Sequence, residues 1–344
     1  MTEAERLLKE GLPTLLIGTA GALVFWAVGF PAAALTGPAA AVSLATLAGL
    51  RSHVPARLRD AAFLVIGVSI GSTVTPEVIA TARAWPLSFF LLGATLVGVL
   101  FAVRTLLIGG FGFDRTTAVL AATPGHLSFI VALSADLRVD VSRIALVQSI
   151  RVLLLTLVVP ILITLWGAQG TAPAVEPVVI TPVQAVVVFA LALGIGLLLM
   201  RFRVPAALLL GAMAVSAVGH GADLSRGVLP HWSTVIAFVV MGNLIGTRFR
   251  GLGRSGLLSA FAAGGAATFV TCAVAAIGAA LAAEILGLPP AVLLLAFAPG
   301  GVEVMAALAV ETSLEPAFVA AHHVFRLILL GTLLPILLAR IRSP

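Results

Sequence analysis

The sequence predicts an all-α polytopic membrane protein made of two copies of one helix set in opposite orientation, and three observations predict it. Hydrophobic residues make up 60% of the chain and charged residues 10%, with a mean hydropathy of +1.18. A water-soluble domain carries about 25% charged residues, so this much apolar surface needs lipid. An apolar segment broken by Pro-Gly occurs twice, at Ala121 to Ser128 and at Ala296 to Glu303. The offset between the two prolines (299 − 124 = 175) also carries Arg151 onto Arg326, Pro160 onto Pro335, Gly71 onto Gly246, Gly67 onto Gly242 and Pro55 onto Pro230.

In chain order, residues 1–11 hold Glu3, Glu5, Arg6, Lys9 and Glu10 and read as a short, solvated helical lead-in without a signal-peptide cleavage pattern. The first repeat, 12–166, has six apolar segments: Leu12 to Phe30, Ala32 to Leu50, Ala61 to Val74, Pro86 to Ile108, Thr116 to Ala135 and Val141 to Trp166. A linker rich in Gly, Ala and Pro fills 167–177. The second repeat, 178–342, runs through Thr181 to Met200, Pro205 to Val218, Thr234 to Thr247, Gly256 to Ala283, Ala291 to Val310 and Ala317 to Arg340. Crossing the hydrocarbon takes about 20 helical residues, so six segments in a half need not be six crossings.

Loop charge sets orientation, because Lys and Arg in short loops stay on the cytoplasmic side. The loop with Arg51, Arg57 and Arg59 is basic, whereas its counterpart from His220 to His231 holds Arg226 alone; Arg248, Arg250 and Arg254 likewise correspond to a stretch with only Arg83. Opposite orientation of the halves requires an odd number of crossings in each. The Pro-Gly segment is then re-entrant, giving ten crossings, two broken or re-entrant helices and both termini in the cytoplasm. The alternative is twelve helices, with the fifth of each half broken but crossing. The net charge of +6 lies in these loops rather than on one face, which points to membrane orientation and not to nucleic acid. The single cysteine, Cys272, excludes a disulfide framework and a cysteine-based metal site.

Proline removes an amide donor and glycine permits unwound backbone, so at membrane depth such a break survives only where protein or a wet cavity satisfies the freed groups. Paired discontinuous helices at matching repeat positions are the sequence sign of a transporter's solute site. Arg151 and Arg326 fall near the middle of their spans, where an arginine costs at least about 2.5 kcal/mol without a partner. His322 and His323 stand four and three residues before Arg326, and Gln148 three before Arg151, so each shares the arginine's helix face. Glu303, four residues past Pro299, is the carboxylate of the second broken helix set deepest from its ends. Two compatible readings follow: the arginines hold carbonyls freed by the breaks, or they and the positive helix ends face an anion while Glu303, His322 and His323 carry a proton. Asn243 adds polar lining or bonds its own helix backbone.

The stretches TPGHLSFIVALSADLRVDVSRIALVQSIRVLLLTLVVP and APGGVEVMAALAVETSLEPAFVAAHHVFRLILLGTLLP resemble the AbrB-type bacterial membrane protein family, defined by this internal duplication. The resemblance implies the inverted-repeat fold of the cation-antiporter and anion-transporter group. His126 departs from the family's Gly-Gly after proline. Family names mention a transcriptional regulator or an ammonia monooxygenase, but the sequence has no DNA-reading module and its six histidines form no evident copper or iron set.

The expectation is a secondary active transporter, not an enzyme, in the bacterial inner membrane. It moves a small anionic solute by alternating access, coupled to protons or sodium, without a cofactor or resident metal. The solute-binding candidates are Thr123, Pro124, Gly125, His126, Ser128, Arg151, Asn243, Pro299, Gly300, Gly301 and Arg326, with Glu303, His322 and His323 for ion or proton coupling. Partners are the solute, the coupling ion and the bilayer, with a homodimer open as the assembly. A membrane sensor acting through a partner protein is the second reading, and a monooxygenase the third.

Overall fold

The computed structural model describes the chain apart from residues 1–2, 75, 83–84, 125–138, 166–177, 205, 251–256 and 343–344. Gly125, His126, Ser128 and the 167–177 linker therefore lie outside the described residues, and Glu303 is described by its backbone alone.

The described elements are helical. A turn of α-helix, Glu3–Arg6, and a π turn, Leu7–Gly11, lead without a break into α1, Leu12–Ala27. There follow α2 (Ala33–Leu47), α3 (Ala56–Gly71), α4 (Pro76–Thr81), α5 (Trp85–Phe111), α6 (Arg115–Ala122) and α7 (Val141–Leu165). The second half gives α8 (Pro182–Arg201), α9 (Ala207–Gly221), α10 (His231–Gly246), α11 (Leu257–Leu286), α12 (Pro290–Phe297), α13 (Val302–Glu311) and α14 (Pro316–Arg342). Among the described residues seven helices are long and apolar enough to cross a membrane, while Ala33–Leu47 and Ala207–Gly221 are shorter apolar helices. The chain is thus a multi-pass α-helical membrane protein. Large apolar side chains such as Trp26, Phe101, Phe269 and Leu258 stand exposed, as lipid-facing positions do.

The chain forms two compact units, each drawing on both halves of the sequence: Met1–Arg83 with Thr156–Leu252 and Ala306–Ala317, and Ala84–Leu155 with Gly253–Met305 and Phe318–Pro344. In the first unit α3 packs on α9 and α2 on α10, and the two crossings are built alike. A methyl group placed on Gly67 would collide with the Leu209 carbonyl oxygen and stand 2.7 Å from the Ala212 Cβ; one on Gly242 would collide with the Leu35 carbonyl oxygen and stand 2.8 Å from the Pro38 Cβ. Small residues let backbones approach where lipid supplies no hydrophobic drive between helices. The residues capping α2 and α9, Ala32 and Ala206, share the left-handed conformation at φ 51°. They lie 206 − 32 = 174 positions apart, one fewer than the offset of the broken helices.

The lead-in is less solvated than its charges predict. Glu10 is buried, and Arg250 donates to both of its carboxylate oxygens at 2.7 and 3.0 Å and to the Ser52 carbonyl at 2.9 Å. Arg6 joins at 3.2 Å. Glu3, Glu5, Arg6 and Lys9 are exposed, and the exception has a simple cause: the helix runs on through Gly11, so Glu10 is carried into the protein, where it needs a cation.

In the second unit α5 packs on α11 and α6. Its core joins Leu96, Val103 and Leu107 of α5 to Leu120, Ile144, Ala267 and Leu334.

The glycine crossings give the first test. Gly67→Ala and Gly242→Ala each destabilise the detergent-solubilised protein by about 1–3 kcal/mol, read as a lower thermal midpoint. Gly265→Ala, with nothing within 4 Å of the added carbon, leaves it unchanged. Three equal midpoints would remove the proposed close approach.

Candidate functional site

The site is built around two helices of the second unit that stop ahead of a proline. Helix α6 begins at Asp114, whose carboxylate accepts from the Thr116 and Thr117 amides at 3.1 and 2.9 Å. Burial raises its pKa, but hydrogen bonds from Thr117 and Thr116 prevail and hold the carboxyl below its ordinary range. The helix stops at Thr123, which turns extended at ψ 115° ahead of Pro124. Helix α12 stops in the same way at Ala298, ψ 139°, ahead of Pro299. Gly300 and Gly301 then lead into α13.

Each proline leaves one particular carbonyl without its helical donor. In an α-helix the N–H of residue i+4 bonds the carbonyl of residue i. For Leu120 that residue is Pro124 and for Leu295 it is Pro299, neither of which has an N–H. A side chain from the next long helix replaces it: Gln148 Nε2 donates to the Leu120 oxygen at 3.1 Å, and His323 Nε2 to the Leu295 oxygen at 3.1 Å. A carbonyl only accepts, so His323 carries its proton on Nε2. One turn further along, Arg151 Nη2 donates to the Thr123 oxygen at 3.2 Å, and Arg326 Nη1 to the Ala298 oxygen at 2.6 Å. Arg326 Nη2 also donates to the Gly300 oxygen. All four clamping side chains are at least 98% buried.

The first expected role of the arginines is therefore what the described bonds display: donors for carbonyls at the helix breaks. A cation at a helix C-terminus is favoured by the helix dipole as well. Gln148 was not among the expected site residues. Its signal in the sequence is a spacing, since it stands 24 positions after Pro124 as His323 does after Pro299. The clamps leave Gln148 Oε1 and His323 Nδ1 buried with no hydrogen-bond partner among the described residues.

Pro124 and Pro299 line one small cavity of about 10 Å³, together with Arg326, Phe297 and, from α5, Leu92 and Thr95. Such a space holds about one water. The structure thus brings Pro124, Pro299 and Arg326 together. Thr123 is buried and returns its hydroxyl to the Val119 carbonyl at 2.7 Å. Asn243 belongs to the first unit. Its amide donates to its own helix at Val239, 2.7 Å, and its side chain packs against Gly18, where an added methyl group would collide with it. His322 is wholly buried and bonded at both ring nitrogens, to the Phe318 oxygen at 2.8 Å and the Ser88 hydroxyl at 2.7 Å. No group of three or more His, Cys, Asp or Glu with metal-binding geometry occurs among the described residues.

Fold and site together define a helical membrane protein in which two helices end ahead of a proline, each capped from a neighbouring helix. Residues 34–342 match the family described as "Transition state regulatory protein AbrB", and the chain belongs to that family. It is similar to the Escherichia coli (strain K12) protein named "Putative regulator AbrB", with 28% identity over 233 residues, 65% of this chain and 66% of that protein. It is also similar to the Bacillus subtilis (strain 168) "Uncharacterized protein YhjN", with 24% identity over 295 residues, 79% of this chain and 75% of that one.

The clamps make a specific prediction. His323→Leu leaves the Leu295 carbonyl without a partner and destabilises the protein by about 1–3 kcal/mol. His323→Gln, which copies the other half, recovers most of that loss. Thermal unfolding in detergent measures both, and a Gln variant no better than Leu would contradict the donor role.

Proposed function

We propose that the protein is a secondary active transporter of the bacterial inner membrane, which moves a small anionic solute by alternating access coupled to a proton or sodium ion. One observation carries the reading: two independent helix breaks converge on a single cavity beside a buried arginine. Soluble cores have no need of this arrangement, whereas carriers use half-helix ends to meet solute and ion. The duplicated glycine crossings and the duplicated clamps support two inverted repeats with ten crossings and two broken helices, the termini lying in the cytoplasm. In this reading Arg326 and the N-terminal end of α13 attract the anion, and Glu303 and His322 are the groups that take up the coupling ion.

The names of the family and of the E. coli relative favour a second reading, a membrane regulator whose solute occupancy is sensed by another protein. The two separate in one experiment. Purified protein in proteoliposomes, offered a panel of organic acids and amines, accumulates an acid when a proton or sodium gradient is imposed. Arg326→Ala lowers uptake at least about tenfold, the worth of one lost charged hydrogen bond, and Glu303→Gln uncouples uptake from the gradient. Saturable binding without flux would instead favour the regulator, and flux untouched by both substitutions would remove the site assignment.

A further inference from the structure

We propose that His322 is the group that binds the coupling proton and that Ser88 is its positioning residue, the Ser88 hydroxyl turning from His322 to the Trp85 carbonyl when the proton arrives. The coupling part of this inference rests on the transport reading above; the proton site does not. His322 Nδ1 lies 2.8 Å from the Phe318 carbonyl oxygen, which only accepts, so Nδ1 carries a hydrogen in every state. Nε2 lies 2.7 Å from Ser88 Oγ, and the same Oγ lies 2.8 Å from the Trp85 carbonyl oxygen. The hydroxyl has one hydrogen and two acceptors. With a neutral ring it serves Nε2 and leaves Trp85, or serves Trp85 and sets two lone pairs against each other. With a proton from solvent added to Nε2, the ring donates to Oγ, the hydroxyl donates to Trp85, and all three bonds form together.

The walls suit a cation. The Phe318 and Phe89 rings lie 4.0 and 4.6 Å from the imidazole, centroid to centroid, and Phe297 and Trp85 close the box at 6.2 and 6.5 Å. Aromatic faces within about 6 Å attract a positive charge. Of the elements packed against the ring, α5 presents Trp85, Ser88 and Phe89, and α12 presents Phe297, none of them ionisable. Among the described side chains, the titratable or charged groups near it are His323 and Arg326 of its own helix. Arg326 stands four residues on, one turn along the same helix, so an anion arriving beside that guanidinium favours the proton. Solute and proton then load together.

The frame is duplicated but this chemistry is not. At the matching positions of the other half His322 becomes Val147, Phe297 becomes Ala122, Ser88 becomes Ala263 and Phe89 becomes Gly264. A residue kept only to hold the frame would be expected in both copies.

The test is ¹⁵N-histidine NMR on the full chain in lipid nanodiscs, with His322 assigned by loss of its signal in His322→Gln. At high pH the ring shows hydrogen on Nδ1 and a bare Nε2; on acidification, followed down to the pH at which the protein unfolds, it becomes doubly protonated. At the pH of wild-type half-titration, Ser88→Ala depletes the doubly protonated form about tenfold, the loss of one charge-assisted bond, while Ser88→Thr retains it. An Nε2-protonated ring at high pH, a ring that never titrates, or a Ser88→Ala titration identical to wild type overturns the proposal. So does proton-driven uptake that persists in His322→Gln. Wild-type protein that titrates but carries no solute sinks the transport reading and leaves the proton site standing.

Discussion

A proline in a membrane helix removes a hydrogen-bond donor that lipid cannot replace, and the second unit is built around that deficit. Leu120 and Leu295 each lose the amide they would have used. Unmet, each would cost several kcal/mol at membrane depth. The chain answers both times with the same device, a side-chain donor on the following long helix, and adds an arginine one turn on for the next free carbonyl. Gln148 and His323 differ in chemistry yet present one N–H to one oxygen at the same distance, 3.1 Å. The position selects for a donor and is indifferent to what carries it.

The first unit meets a different constraint. Its helices associate by close backbone approach, through Gly67 at one crossing and Gly242 at the other. Its buried acid, Glu10, is satisfied by a cation rather than by backbone.

Much of the second unit was legible in the sequence because its constraint is chemical. Two prolines in apolar runs, two arginines at one offset and a histidine or glutamine beside each are visible without coordinates. The end of α12 at Phe297 and the start of α13 at Val302 fall where Pro299 and the glycines require them. Which carbonyls the arginines hold was not legible, because a backbone carbonyl has no letter of its own and the sequence offered an anionic solute as readily. Ser88 was hidden for another reason. It is one hydroxyl within a 27-residue helix, and serine in such a helix ordinarily bonds its own backbone. Only the position of α14 beside α5 turns it toward a histidine 234 residues away. Glu10 misled for a third reason: its charged neighbours suggest water, whereas its burial follows from how far the helix runs.

The same bonds limit how the cavity opens. Drawing α14 away from α12 would free the carbonyls of Leu295, Ala298 and Gly300 together, each at a cost of several kcal/mol in lipid. In the proposed transport cycle these two helices would therefore move as one body. The facing wall is α5, where Leu92, Leu96 and Val99 meet the cavity through apolar contacts. Lipid or solute replaces such contacts at little cost. A directional bond runs between α5 and α14 at this wall, from Ser88 to His322, beside the stacked rings of Phe89 and Phe325 at 4.8 Å. The seam cheapest to open is thus fastened where a proton decides which way a hydroxyl points. Clamped carbonyls fix what cannot separate, and the hydroxyl between α5 and α14 governs what can.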